Sequence, residues 1–352
     1  MKIFMVHENP WNAGNPYIST LIESLLQDYP DCSVAWGREL FWSDAIFNFD
    51  VVHFHWPQAF MAGDRHTEED LKCHIEKLKM KGVKIVATCH DLEPHYNQCA
   101  KYKQSLTIVY SHADLILHLG EYSKRLFEEK YPNTKHQYLS HHLYNTVYDF
   151  YPSKEDSIKY LGLQQNKKYI LSFGTFRSDD ERNLIKLLYK KLNDNNIYIL
   201  APGYMDIGSL HTIKGLVQRV KRKYYQYRYH IFCSGKTFAP ISDNVLPYYF
   251  GASDLVFIQR VKILNSGNVF LPMLFGKIVV GPDTGNIGEV LKKWGYPAFD
   301  TNLLNNIDHF VKEGFALSKN NYALRIKDEQ LSLYKTPVVV NQLHSYYESL
   351  LR

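Results

Sequence analysis

Short apolar runs alternate with helix-like segments along nearly the whole chain. In the first half, Lys2–Val6, Val51–His55 and Val83–Thr88 have the composition of buried strands, whereas Glu68–Lys81 has the apolar spacing of an amphipathic helix. Strands that alternate with helices of about ten to fifteen residues are typical of a parallel sheet with helical crossover connections. The pattern therefore predicts an α/β fold.

The alternation is interrupted once, at residues 148–163 (YDFYPSKEDSIKYLGL), where a proline and a cluster of charges replace it. A new apolar strand then begins at Tyr169. The length of 352 residues is about twice that of a typical domain. We therefore predict two α/β domains of similar size that face each other across a cleft, with bounds at 1–150 and 151–335. Residues 336–352 are predicted to form a terminal helix, with packing against the first domain as one option.

The composition is that of an ordinary globular protein, with 45 % hydrophobic and 22 % charged residues. The net charge of +5 suits an anionic substrate or an anionic membrane surface, and it falls short of that expected for a dedicated nucleic-acid binder. The five cysteines are scattered without CxxC spacing, which predicts a reducing, cytoplasmic environment. Because no run approaches the roughly 18 apolar residues of a membrane span, we expect contact with the inner membrane to be peripheral at most.

Residues 251–290 have the pattern of an anion-binding turn. An apolar strand, Leu255–Ile258, leads into a polar turn that ends in Asn-Ser-Gly-Asn at 265–268, and an apolar segment follows. A second strand, Lys277–Gly281, then opens into another glycine-containing loop. Serine and asparagine cap helix starts, where backbone N–H groups and about half a positive charge attract anions. The stretch therefore predicts a diphosphate site.

Further motifs occur in a recognisable order. Residues 50–57 read DVVHFHWP, residues 86–95 read VATCHDLEPH, and residues 171–177 read LSFGTFR. Together with the Asn-Ser-Gly turn, these motifs resemble those of GT-B glycosyltransferases, in particular family 4 and related exopolysaccharide enzymes. The resemblance spans nearly the whole chain. It implies two Rossmann-like domains, with the acceptor side in the first and the nucleotide-sugar site in the second.

The resemblance also implies a reaction, the metal-independent transfer of a hexose from a UDP- or GDP-sugar to a glycan or lipid-linked oligosaccharide in surface polysaccharide synthesis. No cofactor is implied beyond the nucleotide sugar, which is a substrate. His90 follows a predicted central strand, where open sheets bind ligands, and is assigned with Asp91 to catalysis, while His95 is assigned to the acceptor side. The residues assigned to the donor nucleotide sugar are Gly14, Arg177, Arg182, Lys262, Asn265, Ser266, Gly267, Asn268 and Glu289.

The sequence departs from the common family pattern in two places. The pattern has paired glutamates that would fall near Ile263 or Leu264 and near Leu271, so the chain resembles a subgroup with the Asn-Ser-Gly turn instead. The phosphate-binding lysine of the family has no clear match after Arg177, and Arg182 is the nearest cation. An inactive GT-B partner subunit or carbohydrate-binding protein, and a nucleotide-sugar 2-epimerase, therefore remain alternatives to a transferase.

Two other features have several interpretations. His53 and His55 occupy alternate positions of one strand and so share a face, but no HExxH or CxxC pattern accompanies them, and we predict no metal site. The basic run Arg219–Lys223 and the tyrosines after it are predicted to form a solvated helix face that leads into a strand. Contact with a membrane or an anionic glycan is the alternative for this run.

Overall fold

The chain forms two compact α/β units in a computed structural model. The structure describes residues 1–12, 14–92, 100–205, 211–233, 241–320, 322 and 328–352. One unit comprises residues 1–147 with 329–352, and the other comprises residues 148–328. Each unit contains a six-stranded parallel sheet, which confirms the predicted two-domain α/β fold. The predicted boundaries lay at 150/151 and 335/336.

Unit 1 alternates strands and helices from its first residues. Its strands are β1 (Lys2–Val6), β2 (Ser33–Ala35), β3 (Val51–Phe54), β4 (Lys84–Cys89), β5 (Leu115–His118) and β6 (Lys135–Tyr138). Its helices within the first 147 residues are α1 (Tyr17–Asp28), α2 (Arg38–Phe41), α3 (Pro57–Phe60), α4 (Glu68–Met80), α5 (Ala100–His112) and α6 (Glu121–Lys130), with short 3₁₀ turns at Pro10–Asn12 and Asp44–Asn48.

The sheet of unit 1 has the strand order β2-β1-β3-β4-β5-β6. Strands β3 and β5 are buried along their whole length, because helices cover both faces of a parallel sheet. The chain runs from β1 outward to β2 and then crosses to β3 on the other side of β1, so its direction reverses at the β1–β3 pair. The carboxyl ends of the strands at such a switch point are where open α/β sheets bind ligands.

Unit 2 repeats the same architecture. Its strands are β7 (Lys168–Leu171), β8 (Ile197–Leu200), β9 (Ile231–Phe232), β10 (Leu255–Phe257), β11 (Ile278–Pro282) and β12 (Ala298–Phe299). Its helices are α7 (Lys154–Leu161), α8 (Asp179–Leu192), α9 (Ile213–Tyr229), α10 (Leu246–Ala252), α11 (Gly267–Leu274), α12 (Gly285–Lys293) and α13 (Ile307–Lys319), with a 3₁₀ turn at Leu304–Asn306.

The sheet of unit 2 has the order β12-β11-β10-β7-β8-β9. This is the Rossmann order 3-2-1-4-5-6 counted from the first strand of the unit, and its switch point lies between β7 and β10. Several helices here begin at a serine or threonine whose side chain accepts a backbone N–H. The capping residues are Ser153, Ser178, Thr212 and Ser266. These local caps fix where each helix begins after its strand or loop.

The chain ends in helices α14 (Asp328–Ser332) and α15 (Thr336–Leu351). Helix α15 packs against α1 within unit 1, where the Tyr29 hydroxyl donates to Asn341 Oδ1 at 2.7 Å. A second link joins the Tyr347 hydroxyl to His53 Nδ1 at 2.6 Å, and both residues are buried. Helix α15 has a proline in its first turn, where the backbone N–H groups have no partner within the helix, so the missing N–H of proline costs nothing there.

The elements differ from the sequence prediction in two informative places. The loop predicted around Asp283 is short, because helix α12 begins at Gly285 and contains Glu289. Helix α9 includes the basic run and the tyrosines after it as far as Tyr229, and the strand that was predicted to follow is only Ile231–Phe232. The helix ends at His230, whose φ of +50° is left-handed and breaks the helical hydrogen-bond pattern.

Within the part of the chain that the structure describes, no helix is long and apolar enough to cross a membrane.

Candidate functional site

The loops after β7 and β10 lie side by side at the switch point of unit 2. The two strands pair in parallel, with Leu255 opposite Ile170, so both loops leave the sheet at the same edge. The Ser172 hydroxyl donates to Gln259 Oε1 at 2.8 Å just beyond the strand ends, and both side chains are buried. A crevice at this edge is the position where a Rossmann sheet receives a nucleotide.

Asn268 holds the start of helix α11 against the loop after β7. Its Nδ2 donates to the Phe173 carbonyl at 3.0 Å, and its backbone N–H donates to Ser266 Oγ at 3.1 Å. Gly174 has a φ of +89°, and a Cβ there would lie 3.0 Å from Asn268 Nδ2. A side chain at Gly174 would therefore be strained and would also crowd this contact.

A largely buried ion pair between Arg260 and Glu181 holds the same loop, the one after β7, in place. Arg260 Nε lies 2.7 Å from Glu181 Oε1, with 18 % and 8 % of the two side chains exposed. Arg260 Nη2 donates to the Thr175 carbonyl at 2.7 Å, and Glu181 Oε2 accepts the Arg177 backbone N–H at 2.8 Å. The pair therefore fixes the backbone on both sides of Phe176. Glu181 lies next to Arg182 in the sequence, but its carboxylate pairs with Arg260.

Helix α12 begins against the loop after β10. The Asn286 side chain donates to Asn265 Oδ1 at 2.7 Å, and its backbone N–H donates to the Leu264 carbonyl at 3.0 Å. Gly285 has a φ of +54°, and a Cβ there would lie 2.9 Å from the Ile263 carbonyl oxygen. Only glycine fits this approach without moving the backbone, so the Asn-Ser-Gly turn is held from both neighbouring loops.

The structure brings most of the predicted donor-site residues of unit 2 to this one edge. Asn265, Ser266, Gly267 and Asn268 form the start of α11, and half-buried Arg177 lies in the adjoining loop after β7. Their roles in ligand binding stay predictions.

Three other predicted residues of unit 2 have different surroundings. Arg182 donates to the carbonyls of Tyr204, Ser178 and Phe176 at 3.0 to 3.1 Å, so its guanidinium holds loop backbone. Lys262 is exposed in the loop after β10, and Glu289 is half-buried within α12.

Sequence reasoning missed Arg260 and its partner Glu181 as parts of the site. The available signal was the Ser-x-x-Glu spacing at 178–181, which is typical of a helix start. The carboxylate instead reaches Arg260, which lies 79 positions away in the sequence, so the spacing could not have revealed the pair.

In unit 1, His90 is enclosed by aromatic rings at the carboxyl edge of the sheet. It follows β4, and its Nε2 lies 3.0 Å from Nδ1 of His55, which follows β3. Trp56 stacks on His90 with ring centroids 4.2 Å apart, and the edge of Tyr17 meets it at 5.1 Å. These contacts fix the plane of the His90 ring.

The hydrogen-bond pattern indicates which nitrogen of each ring carries the proton. His55 is buried, burial holds its pKa well below the usual value, and its Nε2 has no hydrogen-bond partner among the residues that the structure describes. A buried N–H without an acceptor costs more than a bare ring nitrogen with one lone pair. We therefore assign the proton to His55 Nδ1, which donates to His90 Nε2, and this leaves the His90 proton on Nδ1.

The remaining predicted residues of unit 1 lie near the same edge or outside the described chain. Asp91 is buried, and its Oδ2 accepts from Gln58 Nε2 at 3.4 Å. Gly14 is exposed in the connection between β1 and α1. His95 lies outside the described residues.

Other histidines of unit 1 are buried in neutral form. Burial lowers the pKa of His53 and of His118 to about 3, and that of His141 to about 4. His53 is satisfied by the Tyr347 and Thr88 hydroxyls. Among the described residues, no three His, Cys, Asp or Glu side chains are grouped so that they could hold a metal ion.

Comparison with known proteins bears on the fold. No family model and no curated protein matches the chain. Sucrose-phosphate synthase from Thermosynechococcus elongatus matches with a TM-score of 0.68 and 14 % identity over 99 % of this chain and 98 % of that one. A glycosyltransferase from Rickettsia africae matches at 0.66 and 14 %, over 100 % and 98 %. Anabaena HepE in complex with UDP-glucose matches at 0.64 and 14 %, over 99 % and 100 %.

The chain has the GT-B fold. The prediction of this fold from the motifs is confirmed, whereas membership of family 4 and of its Asn-Ser-Gly subgroup stays a prediction. A structure described as a UDP-N-acetylglucosamine 2-epimerase from Listeria monocytogenes has a TM-score of 0.61 and 12 % identity over 99 % of this chain and 96 % of that one. The same fold is thus found among proteins of more than one activity.

The Glu181–Arg260 pair predicts a difference between two acids of helix α8. Glu181→Gln leaves the Arg260 charge without a counter-ion, and we expect it to lower the free energy of unfolding by about 1–3 kcal/mol in urea titrations. Asp179→Asn is the matched control, because the Asp179 side chain is 92 % exposed and its pair with Arg182 spans 3.4 Å. This variant should change stability by at most about 0.5 kcal/mol. Equal losses in both variants would contradict a bracing role for the buried pair.

The buried histidines predict that unit 1 is sensitive to acid. Their pKa values are lower in the folded state than the ordinary value of 6.5, so the unfolded chain binds more protons below that pH. The stability is therefore complete above pH 6.5 and is lost as the pH falls toward 4, by about 1.4 kcal/mol per pH unit for each such group.

The test is urea unfolding at about pH 7.5 and about pH 5.5. His141→Asn keeps a donor for the His142 carbonyl, which His141 Nδ1 contacts at 2.8 Å, and should make the pH dependence shallower. Equal stability of the wild type at both pH values would show that these rings are not buried in neutral form.

Proposed function

We propose that the chain is a glycosyltransferase that moves a hexose from a UDP- or GDP-sugar to a glycan or lipid-linked oligosaccharide acceptor, in surface polysaccharide synthesis. The nucleotide sugar is the donor substrate, and the proposed reaction uses no cofactor and no bound metal. The protein would work in the cytoplasm. Three solved structures of the same fold, one of which contains UDP-glucose, support the donor class.

The observation that carries this proposal is the braced edge between β7 and β10. The start of α11 is capped by Ser266 and fixed to the neighbouring loop by Asn268, so its backbone amides are held in place before a ligand arrives. Amides and a helix dipole that need no rearrangement stabilise the charge that develops on a leaving diphosphate. In the proposal, Arg177 supplies the positive charge from the loop after β7.

His90 and Asp91 have the catalytic roles in the proposal. In the proposal, His90 reaches the donor sugar or its phosphate. Asp91 is the proposed base if the reaction inverts the configuration of the sugar. His55 acts through His90 and is therefore a positioning residue.

A 2-epimerase is the second candidate, because a structure described as such an enzyme has the same fold. The two activities differ in what they release. A transferase liberates UDP or GDP when an acceptor, or water, takes the sugar, whereas an epimerase converts one nucleotide sugar into its 2-epimer. Binding of the nucleotide without either product would indicate a partner subunit.

The donor site predicts stabilisation by nucleoside diphosphates without added metal. In thermal melts with a chelator, UDP or GDP at a saturating concentration should raise the melting temperature by about 5 °C. Gly267→Asp should abolish this shift, because its carboxylate repels the diphosphate at the start of α11, while an acid suits the helix itself.

The control for that experiment is Ile213→Asp. It places the same charge at the first position of α9, directly after the capping Thr212, and should keep the full shift. A shift that appears only with Mg²⁺, or that Gly267→Asp leaves intact, would argue against this site.

If His90 is catalytic and His55 positions it, substitutions at these residues should lower the rate of turnover much more than the affinity for the diphosphate. His90→Ala should lower kcat for UDP or GDP release about 100-fold, with less than about threefold change in the Kd for the diphosphate. His55→Leu should lower kcat in the same direction, and His55→Asn should restore most of it because its amide N–H replaces Nδ1–H. His53→Asn is the control on strand β3, directly before His55, since His53 bonds to Tyr347 and Thr88. Equal activity of the Leu and Asn variants at position 55 would refute the positioning role.

A further inference from the structure

Helix α9 in unit 2 exposes a continuous apolar stripe to solvent. With about 100° between successive residues, the exposed apolar side chains of this helix fall on one face. Their exposed fractions are 83 % for Ile213, 50 % for Leu216, 48 % for Val217, 70 % for Val220, 54 % for Tyr224 and 88 % for Tyr227. A helix normally turns such a stripe toward the core, and an exposed one marks a contact surface.

The opposite face of α9 attaches the helix to unit 2. Gly215 is buried there, and the ring of Tyr225 meets that of Tyr204 at 5.3 Å. The Thr212 side chain caps the first turn by accepting the Gly215 N–H at 3.0 Å. The exposure of the stripe therefore belongs to a helix whose other side is packed.

The charges of α9 are all positive. The helix contains Lys214, Arg219, Lys221, Arg222, Lys223 and Arg228, and no aspartate or glutamate between residues 213 and 229. In the helical projection, Lys223 and Arg219 border the stripe on one side, and Arg228, Lys221 and Lys214 border it on the other. Long basic side chains beside an apolar stripe can extend toward phosphate groups while their stems remain in apolar surroundings.

We propose that α9 binds the surface of a bilayer containing anionic phospholipids, with the stripe buried at the boundary between headgroups and acyl chains. An in-plane helix of this kind combines apolar burial with attraction between cations and anionic lipids. Tyrosine side chains suit this boundary because they have an apolar ring and a polar hydroxyl. A second copy of the chain fits less well, because two stripes in contact would bring two sets of cations together.

This surface is independent of the proposed transfer reaction, since none of its residues belongs to the donor or catalytic site. The run Arg219–Lys223 lies on this helix beside the exposed apolar stripe, and membrane contact is the alternative that the sequence offered for it.

The test is flotation of the full chain with phosphatidylcholine vesicles, with and without about 30 % phosphatidylglycerol, and without nucleotide or acceptor. The wild type should float with the anionic vesicles, and more salt should release it. Val220→Ser/Tyr227→Ser and Lys221→Gln/Lys223→Gln should each lower the partition coefficient about tenfold.

Matched controls at the carboxyl end of helix α4 are Met80→Ser, at a side chain 78 % exposed, and Lys77→Gln/Lys81→Gln, where Lys81 directly follows the helix. Both should bind like the wild type. Circular dichroism shows whether each variant is folded. If Val220→Ser/Tyr227→Ser does not fold, the flotation experiment is repeated with Tyr227→Ser alone.

The proposal is overturned if the wild type does not float with anionic vesicles, or if the α9 variants bind as well as the α4 controls. It is also overturned if light scattering without lipid shows a dimer that Val220→Ser/Tyr227→Ser dissociates, because the stripe would then be an interface between copies. Loss of vesicle binding with retained stabilisation by UDP would separate this surface from the donor site.

Discussion

The parallel pairing of β7 with β10 is the constraint on which the second unit depends. It places Leu255 opposite Ile170, 85 positions away in the sequence, and so leaves the loops after both strands at the same edge of the sheet. Two contacts of the candidate donor site cross this junction, Asn268 to the Phe173 carbonyl and Arg260 to the Thr175 carbonyl. Without that pairing, the Asn-Ser-Gly turn would lose its contact with the loop after β7 and keep only its contacts with the start of α12.

The switch point of unit 1 depends on buried histidines rather than on an ion pair. It packs neutral imidazoles against aromatic rings, so that Tyr17 contacts both His90 and His142. Each ring loses hydration on burial, and hydrogen bonds to hydroxyls, carbonyls or other rings compensate in part. This arrangement fixes the His90 ring and its proton, and it also makes folding depend on the histidines remaining uncharged.

The sequence predicted the fold and the start of the helix that carries the Asn-Ser-Gly turn, because both depend on local signals. Apolar periodicity defined most strands and helices, and Ser266 with Gly267 marked the start of α11. The sequence did not predict the side-chain contacts between residues that lie far apart in the chain. No signal in the residues around Glu181 indicates its pairing with Arg260, and none around His55 indicates its contact with His90. The extent of α9 was also missed, because residues 221–229 combine tyrosines with cations and suit either a strand or a helix.

The sequence by itself determined the two α/β domains, the serine-capped turn before α11 and the alternation that requires parallel sheets, since each follows from periodicity and from the chemistry of adjacent residues. Only the tertiary structure decided which side chains brace the turn, which nitrogen of His90 carries a proton and which face of α9 remains exposed. These properties depend on the pairing of distant strands and on the faces that packing buries. Both are set by the whole chain at once.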